Sequence, residues 1–396
     1  MAAAIEGRTA DAPARSKPSR IVSVDLLFGL VAAEPIWRSF EAGPHLATPY
    51  QRFDLLSAWQ HHVGACENAK PCIVVACDGE RRPLLLLPLT LRRKHGVRVL
   101  SFMGGKHTTF NMPLWNRNFA AEAADLDALV ARLREHAVAD VLALTQQPLR
   151  WQASVNPMAM LPHQDSVNAC PVLIMAPEVP TPISRSFRKR LKGKERKLQV
   201  LSGYRYHVAA SDADITRLLD WFFRVKPLRM AELKLPNVFA DPGVENFVRG
   251  ACMAHLSGGN RIIDIHALEC DEEIIALFAG VADGHRFSMM FNTYTMSEHS
   301  RFSPGLILMR NIIDHYSVRG YRALDLGIGS DEYKRMFCKD DEPIFDSFIP
   351  LGPRGRLAAA AMSVVARTKH LVKHNQTLFR LAQGLRAALH RSGGTR

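Results

Sequence analysis

The sequence predicts an α/β chain with mixed sheets, built as two tandem units of the same element order and closed by a basic helical tail. Three observations predict it. Paired apolar runs with strand composition flank short polar turns: residues 73–76 and 84–91 around Asp78-Gly79-Glu80, and residues 262–268 and 274–281 around Asp271-Glu272. Each pair is followed by a strand, a helix and a second strand, at 97–103, 121–136 and 141–144 in the first unit and at 287–294, 304–319 and 323–326 in the second. Corresponding elements are offset by roughly 185 residues, the mark of an internal repeat.

Taken in order, residues 1–20 are rich in Ala, Pro, Arg and Ser and read as a disordered lead. The first unit spans 21–178. Residues 156–182 hold six prolines and predict a surface wrap with one short strand at 172–175. The second unit spans 179–352 and opens with helices at 183–201, 213–229 and 244–256. In the first of these Phe187, Leu191, Leu198 and Leu201 share a face, while Arg188, Lys192 and Arg196 line another. The tail, 353–396, resumes helical periodicity, with Leu357, Ala361, Val364, Leu371, Leu378, Ala382, Leu385 and Leu389 as one stripe.

A chain of 396 residues with a net charge of +13 suits a two-domain globular protein. The charge is concentrated. Residues 354–396 carry nine Lys and Arg and no Asp or Glu, and residues 185–197 carry eight against Glu195. The remainder has a net charge of −3, so the body is not generally basic. Two local patches can attract an anionic membrane, an anionic substrate or nucleic acid. No apolar run approaches the ~18 residues needed to span a bilayer. The N-terminus lacks a signal-peptide core, so a cytoplasmic chain is expected, with the tail offering peripheral attachment to the inner face of the membrane. The seven cysteines are odd in number and show no C-x-x-C, which points to buried thiols. His61-His62 lacks matching Cys or carboxylate spacing, so no metal is expected, and neither a G-x-S-x-G nor a Walker loop is present.

The motif that carries chemistry is Phe302-Ser303-Pro304-Gly305-Leu306, between the strand at 287–294 and its helix. Ser303 reads as an N-cap and Pro304 as the first helical residue. The backbone N–H groups around Gly305, Leu306 and Ile307 would then point outward at the positive end of the helix dipole, where an anion such as a pyrophosphate can sit. Asp264 and His266 alternate with Ile263 and Ile265, so both polar side chains share one strand face. His266 and Asp325 are the candidate bases, beside a water relay; a buried histidine satisfied by the backbone is the structural alternative for His266.

Ser303-Pro304-Gly305, Gly320, Leu324-Asp325-Leu326-Gly327 and Asp331-Glu332-Tyr333-Lys334, in that order, resemble the C-terminal half of the CelD-like acetyltransferases, a branch of the GNAT superfamily associated with cellulose and exopolysaccharide biosynthesis. The basic run from Ser186 to Leu198 is similar to the helix that opens the family's acyltransferase segment. Leu85-Leu86-Leu87-Pro88-Leu89 with Leu100-Ser101-Phe102-Met103-Gly104-Gly105 resembles its N-terminal half, and two such units in tandem look like the FemAB arrangement.

The resemblance implies two GNAT-like domains and transfer from acetyl-CoA or another acyl-CoA, without a metal. The strand at 287–294 would splay from its parallel neighbour, with Met290, Phe291 and Asn292 nearest the gap. Their N–H groups would hold the pantetheine amides and the thioester oxygen. Tyr333 stands where many members place a thiolate proton donor, although Ser330 as N-cap with Asp331 and Glu332 in the first turn explains its neighbours as a helix start. Lys334, Arg188 and Lys192 would contact substrate or phosphate. The superfamily's Arg/Gln-x-x-Gly-x-Gly/Ala loop is absent, since residues 300–305 offer one glycine.

The expected activity is acyl transfer to an amine or hydroxyl of a sugar, polysaccharide precursor or small molecule, with the first unit on the acceptor side. The alternatives are a FemAB-type aminoacyl-tRNA-dependent transferase, using the patch at 185–197 for RNA, and a non-catalytic scaffold of a polysaccharide-synthesis complex. The expected partners are a small-molecule or saccharide acceptor and, through the tail, an anionic membrane surface or a protein.

Overall fold

The computed structural model describes residues 19–175, 183–256, 258–329 and 331–374. Residues 1–18 of the expected lead, Ser330 and residues 375–396 of the tail lie outside the described residues.

The first unit runs β1 (Ser23–Leu27), α1 (Leu30–Ala42), α2 (Phe53–Trp59), β2 (Lys70–Cys77), β3 (Pro83–Lys94), β4 (Val97–Phe102), α3 (Ala123–His136) and β5 (Val141–Pro148). The β2–β3 turn forms where Asp78 accepts the N–H groups of Glu80 and Arg82, each at 2.9 Å. The start of α3 is fixed by a reciprocal capping pair between Glu122 and Asp125, and its end by Ala137 in the left-handed region. Strand β4 runs parallel to β5, with Val99, Leu100 and Ser101 facing Val141, Leu142 and Ala143.

Next come β6 (Cys170–Ile174), α4 (Arg185–Leu198), β7 (Arg205–Val208), α5 (Asp212–Glu232), α6 (Val244–Met253), β8 (Ile263–Glu269), β9 (Ile274–Ala282), β10 (Arg286–Tyr294), α7 (Pro304–Val318), β11 (Ala323–Asp325), α8 (Glu332–Phe337), β12 (Asp340–Glu342), β13 (Ile344–Pro350) and α9 (Pro353–His374). The second sheet has the order β7-β8-β9-β10-β11-β6-β12. The repeat predicted from the sequence is present in both units, element for element. Helix α8 begins with Asp331 rather than Ser330 at the cap position, and Asp331 makes no side-chain cap bond.

The sheets do not divide at residue 178. Strand β6, from before that boundary, joins the second sheet between β11 and β12, while β13 returns to the first sheet antiparallel to β5. Two cores result. One is continuous from the first unit through α5 and α6 to one face of the second sheet, and the other packs α4 and α7 on the opposite face.

Helix α9 packs on the first sheet through Ala359, with Ala358 and Met362 beside it, against Val99, Val141 and Ala143. Gly355 permits the approach, because a Cβ there would lie 1.7 Å from the Asp140 carbonyl oxygen. The described part of the expected stripe is turned outward, with Leu357, Val364 and Leu371 exposed. Among the described residues no helix is long and apolar enough to cross a membrane.

Candidate active site

Strands β10 and β11 stay paired for three residues, ending at Ser288 opposite Asp325, and then separate. Each strand contributes a cause. On β10, Ala279 of β9 faces Phe291 while Gly280 faces Met289, so Met290 is the extra residue of a bulge that bends the strand. On β11, the buried Asp325 carboxylate accepts the Ser288 hydroxyl at 2.5 Å and the Gly327 N–H at 3.0 Å, which turns the chain aside. Gly327 has φ 72°, and a Cβ there would lie 3.3 Å from the Met289 carbonyl oxygen. The Lys334 ammonium donates to the Gly327 and Ile328 carbonyls at 3.1 and 2.9 Å and holds the loop in place. Beyond Ser288, no strand among the described residues pairs with this edge of β10.

Behind the gap lies a cavity of about 550 Å³, lined by residues 289–292, Gly327, Tyr333 and Lys334, by α5, α6 and the loop between them, and by His107, Thr108 and Thr109 of the first unit. Of the expected residues, Met290, Phe291, Asn292, Tyr333 and Lys334 come together here. Burial pushes the Tyr333 hydroxyl above its ordinary value, so it keeps its proton at neutral pH. Lys334 is pulled down chiefly by burial, and its ammonium acts on the loop carbonyls.

Two cavity residues escaped the sequence reading. Lys226 of α5 donates to the Asn292 carbonyl at 3.0 Å and sits 5.7 Å from the Phe239 ring centroid. Burial, with Arg229 nearby, lowers it to about 8. Its signal was positional: Phe222, Lys226 and Met230 recur every fourth residue, so a lysine occupies a place on an apolar face. His107 accepts the Trp59 indole N–H on Nδ1 at 3.1 Å, which assigns the ring proton to Nε2. That Nε2 is buried and has no hydrogen-bond partner among the described residues.

The start of α7 differs from its expected form. Ser303 precedes the helix, but its backbone is left-handed (φ 57°, ψ 54°) and its side chain makes no cap bond; its hydroxyl accepts from Lys194 of α4 at 2.7 Å. The Leu306 and Ile307 N–H groups, expected to point outward, donate to the Ser303 carbonyl at 3.0 and 3.2 Å. Lys197 adds a second ammonium nearby, 5.8 Å from the Phe302 ring centroid. Arg188 and Lys192, expected to contact substrate or phosphate, are not the cations that flank this helix start. Arg188 pairs with Asp314 at 2.6 Å, tying α4 to α7, and Lys192 is exposed on the outer face of α4. Gly305 lies against the end of β10, where a Cβ would sit 3.4 Å from the Tyr294 ring.

The two expected bases lie elsewhere. His266 is fully buried between the Tyr206 and Tyr316 hydroxyls, at 2.9 and 3.0 Å, and Tyr316 donates onward to Asp264 at 2.8 Å. Burial keeps this imidazole neutral and below its ordinary value, in a network under α7 rather than in the cavity. Asp325 is also fully buried; burial raises it to about 6, against the lowering effect of Arg286. Its oxygens serve the splay, so it positions the gap. Among the described residues no group of three or more His, Cys, Asp or Glu could hold a metal.

A strand bulge and a splayed parallel pair beside a crossover helix leave an open strand edge that faces a cavity. Residues 185–335 match the profile of the family described as an acetyltransferase (GNAT) domain. Residues 185–335 are thus a GNAT-type domain. No curated protein matches the chain by sequence. Solved structures similar to it include FemX, at 8% identity over 80% of this chain and 99% of that one with a TM-score of 0.49. L-PGS from Bacillus licheniformis is similar at 11% identity, over 84% of this chain and 96% of that one, with a TM-score of 0.48. A tandem GNAT protein from the clavulanic acid biosynthesis pathway is similar at 11% identity, over 84% and 99% of the two chains, with a TM-score of 0.39. The GNAT match ends at residue 335, so β12, β13 and α9 lie beyond it.

Proposed function

We propose that the protein is an acyl-CoA-dependent acyltransferase that acts on an amine or hydroxyl of a sugar, polysaccharide precursor or small molecule. The observation that carries the reading is the open edge of β10, with the cavity on one side and the start of α7, flanked by Lys194, on the other. A thioester lying in the gap meets backbone N–H groups of β10 that can polarise its carbonyl. Its pyrophosphate meets the helix start and two ammonium groups. The acceptor's lone pair then forms a bond to the thioester carbon, and the C–S bond breaks. One proton leaves the acceptor and one arrives on the sulfur. Tyr333, protonated and beside Asn292, donates towards the departing thiolate. Lys226, held to about 8, has a neutral fraction near physiological pH that can take the acceptor's proton.

Gly305→Glu tests the reading, because it places a carboxylate at the helix start. Calorimetry on the full chain should show acyl-CoA affinity lowered at least about tenfold, the size of one lost charge-assisted contact, with an unchanged circular dichroism spectrum. Equal affinity in variant and parent removes this helix from the site.

Attachment to an anionic surface through α9 belongs to the same proposal. The outward Leu357, Val364 and Leu371, with Arg356, Arg367 and Lys373 on the same helix, supply an apolar stripe flanked by cations. Removal of residues 354–396 should abolish salt-sensitive sedimentation with phosphatidylserine vesicles. Retained binding places the contact elsewhere.

A further inference from the structure

We propose that the acyl group this site accepts is a hydrocarbon chain of medium or greater length rather than acetyl. The inference rests on the acyl-CoA reading above and names the substrate class of the same cavity. With the pyrophosphate at the start of α7, a thioester in the gap delivers its acyl carbon to the opposite face of the sheet, where the cavity lies. An acetyl group needs room for one methyl. The space behind Met290 is about 550 Å³, and its far wall is built from Met230, Phe239, Phe247 and Val248.

His107, 5.9 Å from the Phe247 ring centroid, is a polar neighbour of that wall, and Lys106 is paired with Asp241. Lys226 and Lys334 are bonded to backbone carbonyls on the strand side, at Asn292 and at Gly327 and Ile328. The apolar surface also continues out of the cavity. Leu233, Leu235 and Val238, on the loop after α5, line it while 55%, 53% and 43% exposed. Three large apolar side chains left in water at the mouth of an apolar cavity form a continuous track from the reacting carbon to solvent. An extended alkyl chain covers such a track, whereas a saccharide or an acetyl group leaves it wet.

The test is a calorimetric series on the full chain with CoA, acetyl-CoA, butyryl-CoA, hexanoyl-CoA and octanoyl-CoA. Each buried methylene contributes up to about 0.8 kcal/mol, or roughly fourfold. The expected result is octanoyl-CoA binding at least about a hundredfold tighter than acetyl-CoA, with the gain spread along the series. Leu235→Asp, at an exposed position that does not threaten folding, should flatten the slope by putting a carboxylate on the track. CoA and acetyl-CoA binding as tightly as octanoyl-CoA overturns the chain-length inference and leaves the acyl-CoA reading intact. Failure of CoA and every thioester to bind overturns both. A slope unaffected by Leu235→Asp overturns the assignment of the chain to this track.

Discussion

The two units share an element order and differ at one point, the gap beside their parallel strand pair. In the second unit the edge of β10 is left open onto a cavity. In the first, β4 and β5 also pair for three residues, but the loop that follows β4 folds back and fills the space. Asn111 donates its backbone N–H to the Gln146 carbonyl at 2.9 Å and its side-chain amide to Thr145 at 3.2 Å, and Thr108 donates to Asn111 at 2.9 Å. The same topology thus leaves an open edge onto a cavity once and a closed wall once, and the loop chemistry decides which. The first unit's contribution to the site is then His107, Thr108 and Thr109, presented to the second unit's cavity by the loop that plugs its own gap.

The sharpest way to test the asymmetry is at the open gap. Tyr333→Phe removes the hydroxyl proposed to donate to the departing thiolate, and kcat should fall by roughly 10²-fold or more, with acyl-CoA affinity little changed. Steady-state rates equal to the parent's would return the residue to a packing role.

The next effect is on stability. A lysine held at about 8 in place of 10.5 binds fewer protons folded than unfolded between those values, so stability rises with pH across that window. The gain amounts to at most about 3 kcal/mol. Lys226→Met should remove that rise and stabilise the chain near neutral pH, as read from urea midpoints across the pH range. If the parent shows no rise between pH 8 and 10.5, the amine is not held as described.

The smallest effect on binding is expected in the closed unit. Asn111→Ala removes the side-chain bonds to the Thr145 carbonyl and the Thr108 hydroxyl and should cost about 1–3 kcal/mol of stability. Acyl-CoA should still bind at one site per chain. A second site appearing in calorimetry would show that the plug alone distinguishes the two units.

The repeated hairpin, strand, helix and strand were legible because their periodicities alternate cleanly and Gly and Pro mark the joins. Met290, Phe291 and Asn292 were expected at the gap from the family resemblance alone, and they line the cavity. Strand partners were not. Residues 172–175 read as an isolated strand in a proline-rich wrap, since nothing local reveals that Val172, Leu173 and Ile174 pair with Asp325, Leu324 and Ala323. His266 was misleading because strand alternation shows a shared face without showing what covers it, and here it is Tyr206 and Tyr316. Which cations of the run 185–197 reach other elements was not legible: Lys194 and Lys197 lie at the start of α7, while Arg188 meets Asp314.

The crossing of β6 and β13 between the sheets has a mechanical consequence. Each sheet is completed by a strand whose chain belongs to the other half, so the halves cannot swing apart about a hinge without breaking ladder hydrogen bonds in both. Ligands must therefore enter and leave through the fixed mouth between α5 and α6 or past the start of α7. Either half expressed alone would lack an interior strand. Denaturation of the parent should accordingly pass through one cooperative transition in place of two.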